Sequence, residues 1–191
     1  MEKIEIYEKF LDSDITSATF EILSTQIKWH EELTSTETGS LVKIKRKMAY
    51  VSDVDGFIYN YADLSFPGQA WIPQLELLRD KLNEFTNRNF NSVLLNWYKD
   101  GKDIIGWHSD KEEILKGGLE GSVIGCVNLG ATRNFLFRKK SSYEQKDIII
   151  YPVSDGDLLM MNAGCQAEYL HAILKEAGVE EPRISLTFRE V

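Results

Sequence analysis

The sequence predicts an α+β fold in which two early helices pack on a β-sandwich or jelly roll. Three observations support this class: helical periodicity is confined to the first half of the chain, short strand-like segments follow it, and turn residues separate those segments. The 191 residues are 43% hydrophobic and 27% charged, as is typical of a globular domain. Because no internal repeat or Pro/Gly-rich linker interrupts the chain, we expect one domain over residues 1–191.

The two helices are predicted from capping residues and apolar spacing. Asp12 or Ser13 is a suitable N-cap for the first helix, which is expected to extend to about Trp29. Pro73 suits the first turn of the second helix, and the Asn-Arg-Asn sequence at 87–89 ends it. Apolar residues at helical spacing form the faces expected to meet the core: Ile15, Phe20, Leu23 and Ile27 in the first helix, and Leu75, Leu78, Leu82 and Phe85 in the second.

From residue 91 the pattern changes to strands with turn residues between them. The predicted strands are residues 91–98, 122–129, 134–138, 147–153, 158–161 and 183–189. Gly130-Ala131-Thr132 and Ser154-Asp155-Gly156 are typical turn sequences, so we expect the strands on either side of each turn to pair with one another. The polar stretch 34–56 is expected to form loops and short edge strands.

The charge and cysteine content limit the classes of partner. A net charge of −8 argues against a protein that coats nucleic acid by overall electrostatics. Basic clusters at 43–47 and 138–140 either contact phosphates or form solvated faces. No apolar run is long enough to span a membrane, the start lacks a signal-peptide pattern, and Cys126 and Cys165 lack the spacing of a metal site. We therefore expect a reduced, intracellular protein, in either cytoplasm or nucleus.

Two histidines and an aspartate form a candidate metal site. His108 and Asp110 lie two positions apart, so in extended backbone both side chains point to one side. With His171 they would supply two imidazoles and one carboxylate, the facial set that binds Fe(II) in non-haem oxygenases and leaves positions open for cosubstrate and oxygen. Taken alone, the His-x-Asp pattern is more often a chance pairing that includes a surface or core histidine. Other segments of the chain are therefore needed to distinguish a metal site from chance.

The predicted last strand has one polar face. Its alternation places four polar residues on one side and three apolar residues on the other: Arg183, Ser185, Thr187 and Arg189 against Ile184, Leu186 and Phe188. A buried guanidinium needs an anion, and it binds carboxylates in a bidentate manner, so a dicarboxylate such as 2-oxoglutarate suits this face. The alternative is an edge strand with solvated arginines. Asn96 and Tyr98 share one face of the strand before His108 and are placed to hydrogen-bond the same cosubstrate.

Together these segments resemble the motif set of AlkB-type Fe(II)- and 2-oxoglutarate-dependent dioxygenases, a family that includes nucleic-acid demethylases. The set comprises Asn96-x-Tyr98, His108-x-Asp110, His171, and Arg183 followed six residues later by Arg189. Similar segments outside it are Trp71-Ile72-Pro73, Phe90-Asn91-Ser92, Tyr98-Lys99-Asp100-Gly101, Leu129-Gly130-Ala131-Thr132-Arg133 and Leu158-Leu159-Met160-Met161. The similarity runs in order from about Phe10 to the C-terminus. It implies a double-stranded β-helix (jelly-roll) core with the N-terminal helices packed on one sheet.

The resemblance also implies roles for individual residues. By position, the Fe(II) ligands are His108, Asp110 and His171, and the 2-oxoglutarate site is lined by Asn96, Tyr98, Arg183, Ser185, Thr187 and Arg189. Arg183 with Ser185 would hold the distal carboxylate, and Arg189 would lie nearer the metal-bound end. Many close relatives carry asparagine where Ser185 stands, which leaves the details of cosubstrate binding open.

The substrate-binding residues that the resemblance implies are Tyr59, Tyr61, Glu112, Arg46 and Arg133. Tyr61 would stack on a flipped base against His108, and Tyr59 would hydrogen-bond nearby, although tyrosines at this spacing are also typical of a half-buried strand. A carboxylate at Glu112 would favour a cationic methylated base. Arg46 and Arg133 would lie close to the bound nucleic-acid strand.

The implied activity is oxidative demethylation of N-alkylated bases, such as 1-methyladenine and 3-methylcytosine, in DNA or RNA with Fe(II), O₂ and 2-oxoglutarate. We expect a monomer. The stretch Thr38-Gly39-Ser40-Leu41 lacks the aromatic finger of duplex-invading relatives, and with the acidic net charge this favours single-stranded or unpaired substrate over intact duplex. The preferred lesion and the choice between DNA and RNA are not predicted. Two alternatives stay open: an oxygenase of the same chemistry acting on a protein or small molecule, and a silent binding module, which the intact motif set argues against.

Overall fold

The structure, a computed structural model, describes residues 2–31, 33–35, 41–43, 46–54, 56–61, 64–111 and 114–191, without the side chains of 33–35, 41–43, 61 and 64. Its helices are α1 (Ser13–Gln26), α2 (Pro73–Thr86), α3 (Gly118–Gly121) and α4 (Cys165–Glu168). Its strands are β1 (Ile4–Tyr7), β2 (Leu33–Ser35), β3 (Leu41–Lys43), β4 (Lys47–Ser52), β5 (Ile58–Tyr61), β6 (Leu64–Pro67), β7 (Ser92–Tyr98), β8 (Ile105–His108), β9 (Ile124–Gly130), β10 (Arg133–Lys139), β11 (Ile149–Val153), β12 (Leu158–Met161), β13 (Tyr169–Ile173) and β14 (Arg183–Arg189).

Two antiparallel sheets form the core of the fold. A six-stranded sheet has the order β1-β12-β9-β14-β7-β4, and a four-stranded sheet has the order β11-β10-β13-β8. Apolar residues from both sheets pack together between them, including Ile124 and Cys126 from the larger sheet and Phe135, Phe137 and Ile173 from the smaller one. Strands β2 and β3 form a separate ribbon, as do β5 and β6. This arrangement confirms the predicted α+β jelly roll.

Helices α1 and α2 cover the outer face of the six-stranded sheet, as predicted. Leu23 of α1 and Leu75 of α2 belong to one buried cluster with Leu95 and Leu186 of the sheet. The apolar spacing of α2 therefore identified both a helix and its buried face. Its end is fixed at Asn87, which adopts a left-handed conformation with φ 52° after the last helical turn.

The predicted apolar face of α1 is partly wrong. The helix ends earlier than expected, and Ile15 is 37% exposed, while Phe85 at the end of α2 is 50% exposed. Thr16 and Thr19 take buried positions of α1 instead. Their burial is tolerated because both hydroxyls are hydrogen-bonded to other segments of the chain.

The two predicted hairpins are wrong. β9 and β10 lie in different sheets, and so do β11 and β12. The turns at 130–132 and 154–156 carry the chain from one sheet to the other. Gly130 is required at its corner because its φ is +83° and a Cβ there would lie 2.5 Å from the carbonyl oxygen of Pro182. The turn residues thus marked a change of direction but not the partner strand.

Strand β14 has the predicted bounds and lies between β9 and β7 in the six-stranded sheet. All seven of its residues are buried. The alternative of an edge strand with solvated arginines is therefore wrong. Ile184, Leu186 and Phe188 face the helices, so the polar face of β14 is directed into the space between the sheets.

The stretch 34–56 contains a strand at the edge of the six-stranded sheet, β4, as expected. Parts of that stretch, including residues 38–40 of the segment without an aromatic finger, lie outside the described residues. None of the described helices has the length and apolar character needed to cross a membrane. The single-domain organisation stays a prediction.

Candidate metal and cosubstrate site

Two neighbouring strands bring the predicted metal ligands together. β13 pairs with β8 so that His171 lies directly opposite His108, with their ring centroids 4.2 Å apart. Asp110 follows the end of β8, and its carboxylate lies 3.5 Å from Nε2 of His108 and 3.7 Å from Nε2 of His171. One ligand atom from each of the three residues lies within 4.8 Å of the others. The expected cluster therefore forms, although Asp110 reaches it from beyond the strand.

The surroundings of the two histidines orient His108 and keep His171 neutral. Nδ1 of His108 lies 2.8 Å from the carbonyl oxygen of Gly106, which directs Nε2 toward the site. His171 is buried and stacks on Phe135, with ring centroids 5.4 Å apart. Burial, reinforced by His108, lowers the pKa of His171 to about 3. A neutral imidazole is the form that binds a metal ion.

Asp110 is held as an oriented carboxylate. Its Oδ2 accepts a 2.9 Å hydrogen bond from Nη2 of Arg189, while Oδ1 faces the two histidines. Burial alone would raise the pKa of the Asp110 carboxyl, but the positive charge of Arg189 and its hydrogen bond to the carboxylate lower that pKa. Two neutral nitrogens and one free carboxylate oxygen on one side are the donor set that Fe(II) takes in a facial triad. The residues present fit the metal.

Gln166 is a site residue that the sequence did not indicate. It lies on the short helix α4, is fully buried, and accepts a 2.9 Å hydrogen bond from the backbone N–H of Asp110. It thereby fixes the segment that carries the carboxylate. No motif marks it, because its role depends on a contact between segments 56 positions apart.

A buried cavity joins the triad to the polar face of β14. The space between its walls and at its mouth, where it opens to solvent, amounts to about 460 Å³. All nine residues predicted for the metal and cosubstrate line it, namely His108, Asp110, His171, Asn96, Tyr98, Arg183, Ser185, Thr187 and Arg189. Apolar side chains complete the wall, among them Ile105, Phe135 and Ile173. The structure therefore brings the candidate metal and cosubstrate residues into one site.

Arg183 is the clearest sign of an anionic ligand. It is 1% exposed, its Nε donates to Oδ1 of Asn128, and its Cζ lies 5.0 Å from the centre of the Tyr98 ring. Among the described residues, Nη1 and Nη2 have no hydrogen-bond partner and no carboxylate lies within ion-pair distance. A buried cation left in this state is unfavourable by several kcal/mol. The distal carboxylate of 2-oxoglutarate would accept hydrogen bonds from both nitrogens and would neutralise the charge of the guanidinium.

Two residues expected to contact substrate lie buried beside the cosubstrate residues. Arg46 donates from Nε to Oδ1 of Asn96 at 2.7 Å and from Nη1 to the carbonyl oxygen of Ile104 at 3.3 Å. Tyr59 stacks on Tyr50 with ring centroids 4.6 Å apart, and its hydroxyl accepts a 3.4 Å hydrogen bond from Arg189. In these positions both residues support the cavity wall.

Arg133, the third such residue, is 0% exposed. It forms an ion pair with Glu176 at 3.0 Å and donates to the carbonyl oxygens of Asp100, Asp103 and Leu174. With its donors engaged in this way, the guanidinium ties the β7–β8 loop and the β13–β14 loop to β10. This geometry gives no support to a contact with a bound strand. The side chain of Tyr61 and the whole of Glu112 lie outside the described residues.

Comparison with known proteins agrees with the geometry of the site. The family model of the 2OG-Fe(II) oxygenase superfamily matches residues 3–189. The chain is similar to the DNA oxidative demethylase ALKBH2 of Mus musculus, at 36% identity over 81% of this chain and 69% of the relative. It is also similar to the alpha-ketoglutarate-dependent dioxygenase alkB homolog 3 of Mus musculus, at 32% identity over 99% of this chain and 66% of the relative. The chain thus spans about two thirds of the length of these curated relatives.

Solved structures share the fold at lower identity. OsALKBH1 superposes with a TM-score of 0.66 at 18% identity, covering 100% of this chain and 99% of that one. A prolyl hydroxylase from Trichoplax adhaerens, solved with a hypoxia inducible factor peptide, gives a TM-score of 0.58 at 12% identity, covering 98% and 82%. At these identities the similarity describes the shared jelly roll alone.

Proposed function

Because this chain belongs to the 2OG-Fe(II) oxygenase superfamily, and within it to the AlkB type, we propose that it oxidatively removes alkyl groups from N-alkylated bases in DNA or RNA. Its class of chemistry is that of an Fe(II)- and 2-oxoglutarate-dependent dioxygenase. The observation that carries the proposal is that one cavity is lined by a His-Asp-His set and by a buried arginine, Arg183, whose two terminal nitrogens have no hydrogen-bond partner among the described residues. A relative named as a DNA oxidative demethylase supports a nucleic-acid substrate, and 1-methyladenine and 3-methylcytosine are the bases that we propose.

His108, Asp110 and His171 would hold Fe(II), and Arg183 would hold the distal carboxylate of 2-oxoglutarate. When bound, Fe(II) and 2-oxoglutarate together activate O₂ and oxidise the N-alkyl carbon, which leaves as an aldehyde while 2-oxoglutarate becomes succinate and carbon dioxide. Arg189 keeps Asp110 ionised and oriented through the hydrogen bond to Oδ2. The apolar wall around the site restricts the access of water.

The remaining residues of the cosubstrate site would fix the position of the ligand. Asn96, Tyr98, Ser185 and Thr187 place an amide, a phenol and two hydroxyls on one wall of the cavity, where a dicarboxylate offers acceptors for hydrogen bonds. On the substrate side, Tyr61 is proposed to stack on the extruded base and Glu112 to favour a cationic one. Stacking on an aromatic side chain tolerates different bases.

We propose that the enzyme prefers single-stranded or unpaired nucleic acid to intact duplex as its substrate. The net charge of −8 weakens long-range attraction to a duplex, and residues 38–41 contain no aromatic side chain to replace an extruded base. The enzyme is proposed to act as a monomer and as one domain inside the cell, where two free thiols, Cys126 and Cys165, stay reduced.

The second candidate function is an oxygenase that acts on a protein or small molecule. The shared fold with a prolyl hydroxylase admits it, but fold alone does not define the substrate. Relatives that exceed 30% identity and are named as a nucleic-acid demethylase or AlkB homologues favour the first candidate.

Substrate-stimulated turnover separates the two candidates. Succinate formation would be measured with Fe(II), O₂ and 2-oxoglutarate in the presence of methylated oligonucleotides, the same oligonucleotides without methyl groups, and prolyl peptides. Stimulation by the methylated strands alone, with single strands ahead of duplex, is expected. Stimulation by peptides and not by any methylated strand would contradict the first candidate function and support the second.

A further inference from the structure

We propose that Asn128 is the positioning residue of the cosubstrate site, which holds Arg183 by Nε so that Nη1 and Nη2 face the cavity. The inference rests on the proposed binding of 2-oxoglutarate by Arg183, and it adds a residue that the motif set does not contain. Asn128 is fully buried on β9, directly opposite Ser185 of β14, while Arg183 lies two positions earlier on β14. The two side chains thus meet across neighbouring strands.

The orientation of the Asn128 amide follows from its two contacts. Its Nδ2 donates to the carbonyl oxygen of Ala131 at 3.5 Å, which leaves Oδ1 to accept from Nε of Arg183. A guanidinium is a donor only, so the opposite orientation of the amide would place two donors against each other. The backbone of Asn128 is also fixed, because its N–H donates to Asp157 and its C=O accepts from Gly156. Asn128 is therefore a rigid acceptor.

Occupation of Nε restricts how an anion can bind Arg183. A guanidinium offers a carboxylate either the edge that includes Nε or the end formed by Nη1 and Nη2. Asn128 blocks the first edge, and the Tyr98 ring, 5.0 Å from Cζ, covers one face. The remaining end, with no partner among the described residues, is the one that reaches the ligand.

Asn128 acts through Arg183 and not on the ligand. It is not among the described residues that line the cavity, whereas Arg183 and Ser185 are. On the other side of Ser185, Asn96 accepts from Nε of Arg46 in the same manner, at 2.7 Å. Two amides in one row across the sheet thus hold two different arginines by the same nitrogen.

The test compares the binding of two 2-oxo acids to the Mn(II)-loaded chain without oxygen, measured by calorimetry. One is 2-oxoglutarate, and the other is 2-oxopentanoate, which carries a methyl group in place of the distal carboxylate. Asn128→Ser removes the amide that accepts from Nε and shortens the side chain. Asn162→Ser is the matched control, since Asn162 is buried and its amide bonds to Glu2 instead of an arginine. We expect Asn128→Ser to weaken 2-oxoglutarate by about 10- to 100-fold and to leave 2-oxopentanoate unchanged.

Equal weakening of both ligands, or of neither, would overturn the proposal. If the unaltered protein itself does not prefer 2-oxoglutarate to 2-oxopentanoate, Arg183 does not bind the distal carboxylate. That result would contradict the proposed function, whereas a preference that Asn128→Ser leaves unchanged would contradict only the role of Asn128. Should Asn128→Ser not fold, Asn128→Asp keeps an oxygen for Nε and adds a carboxylate that competes with the ligand. That variant is expected to fold and to bind 2-oxoglutarate at least about tenfold more weakly, and unchanged binding would refute the contact.

Discussion

Replacement of Arg183 by methionine should remove most of the stabilisation that 2-oxoglutarate gives to the folded protein. The variant loses two charge-assisted hydrogen bonds, from Nη1 and Nη2, each worth about 1.5–3 kcal/mol. Their sum, about 3–6 kcal/mol, corresponds to a loss of affinity of about 10²- to 10⁴-fold. The stem of methionine fills much of the space of the arginine stem, so the effect is concentrated on the ligand.

The assay is a thermal melt of the Mn(II)-loaded protein with and without 2-oxoglutarate at about 100 times its Kd for the unaltered protein. At that concentration the ligand stabilises the fold by about 2.7 kcal/mol, which raises Tm by roughly 5–11 °C for a chain of this size. For Arg183→Met the same concentration gives at most about 0.4 kcal/mol, or roughly 2 °C. Arg88→Met, at a partly exposed arginine paired with Glu190, is the matched control and should keep the full shift. A variant of Arg183 that melts lower without ligand but retains the full ligand shift would show that Arg183 does not bind 2-oxoglutarate.

Two further predictions concern buried groups outside direct ligand contact. Arg133→Met should lower the free energy of unfolding by about 3–5 kcal/mol, because it breaks the ion pair with Glu176 and leaves three carbonyl oxygens without their donor. A decrease below about 1 kcal/mol, measured by calorimetry, would show that the guanidinium does not stabilise the fold in this way. Burial raises the pKa of the Cys165 thiol from 9.0 to about 12, which lowers its thiolate fraction near pH 8 about a thousandfold, and burial also raises the pKa of Cys126. A disulfide reagent should therefore titrate both thiols in guanidinium and neither in the native protein, whereas rapid native labelling would contradict their burial.

The last strand was the most predictable part of the fold, for a physical reason. Alternation with a period of two assigns every residue of β14 to one face, and both faces carry a clear signal, apolar toward the helices and polar toward the cavity. The same alternation predicted that Asn96 and Tyr98 share one face of β7, and both line the cavity. The metal ligands followed from residue type and spacing, even though Asp110 lies beyond the end of β8.

The pairing of strands was less predictable, because a turn sequence specifies a reversal of the chain and not the sheet to which the next strand belongs. Gly130 serves a corner between sheets as well as it would serve a hairpin. Arg133 shows a second limit, since a basic residue gives no sign in sequence of whether it is exposed. Its partner Glu176 lies 43 positions away. Asn128 and Gln166 likewise carry no motif, and only the folded contacts reveal them.

Demethylase activity is tested by the release of formaldehyde from oligonucleotides that contain 1-methyladenine or 3-methylcytosine, single- and double-stranded, in DNA and RNA. The reaction would contain Fe(II) and 2-oxoglutarate, beside a His108→Ala control. We expect release that requires both cofactors, is lost in the variant and is greatest with single strands. An absence of release from every methylated strand, while succinate still forms slowly without substrate, would contradict the proposed function: the chain would remain an oxygenase, but not one that repairs bases.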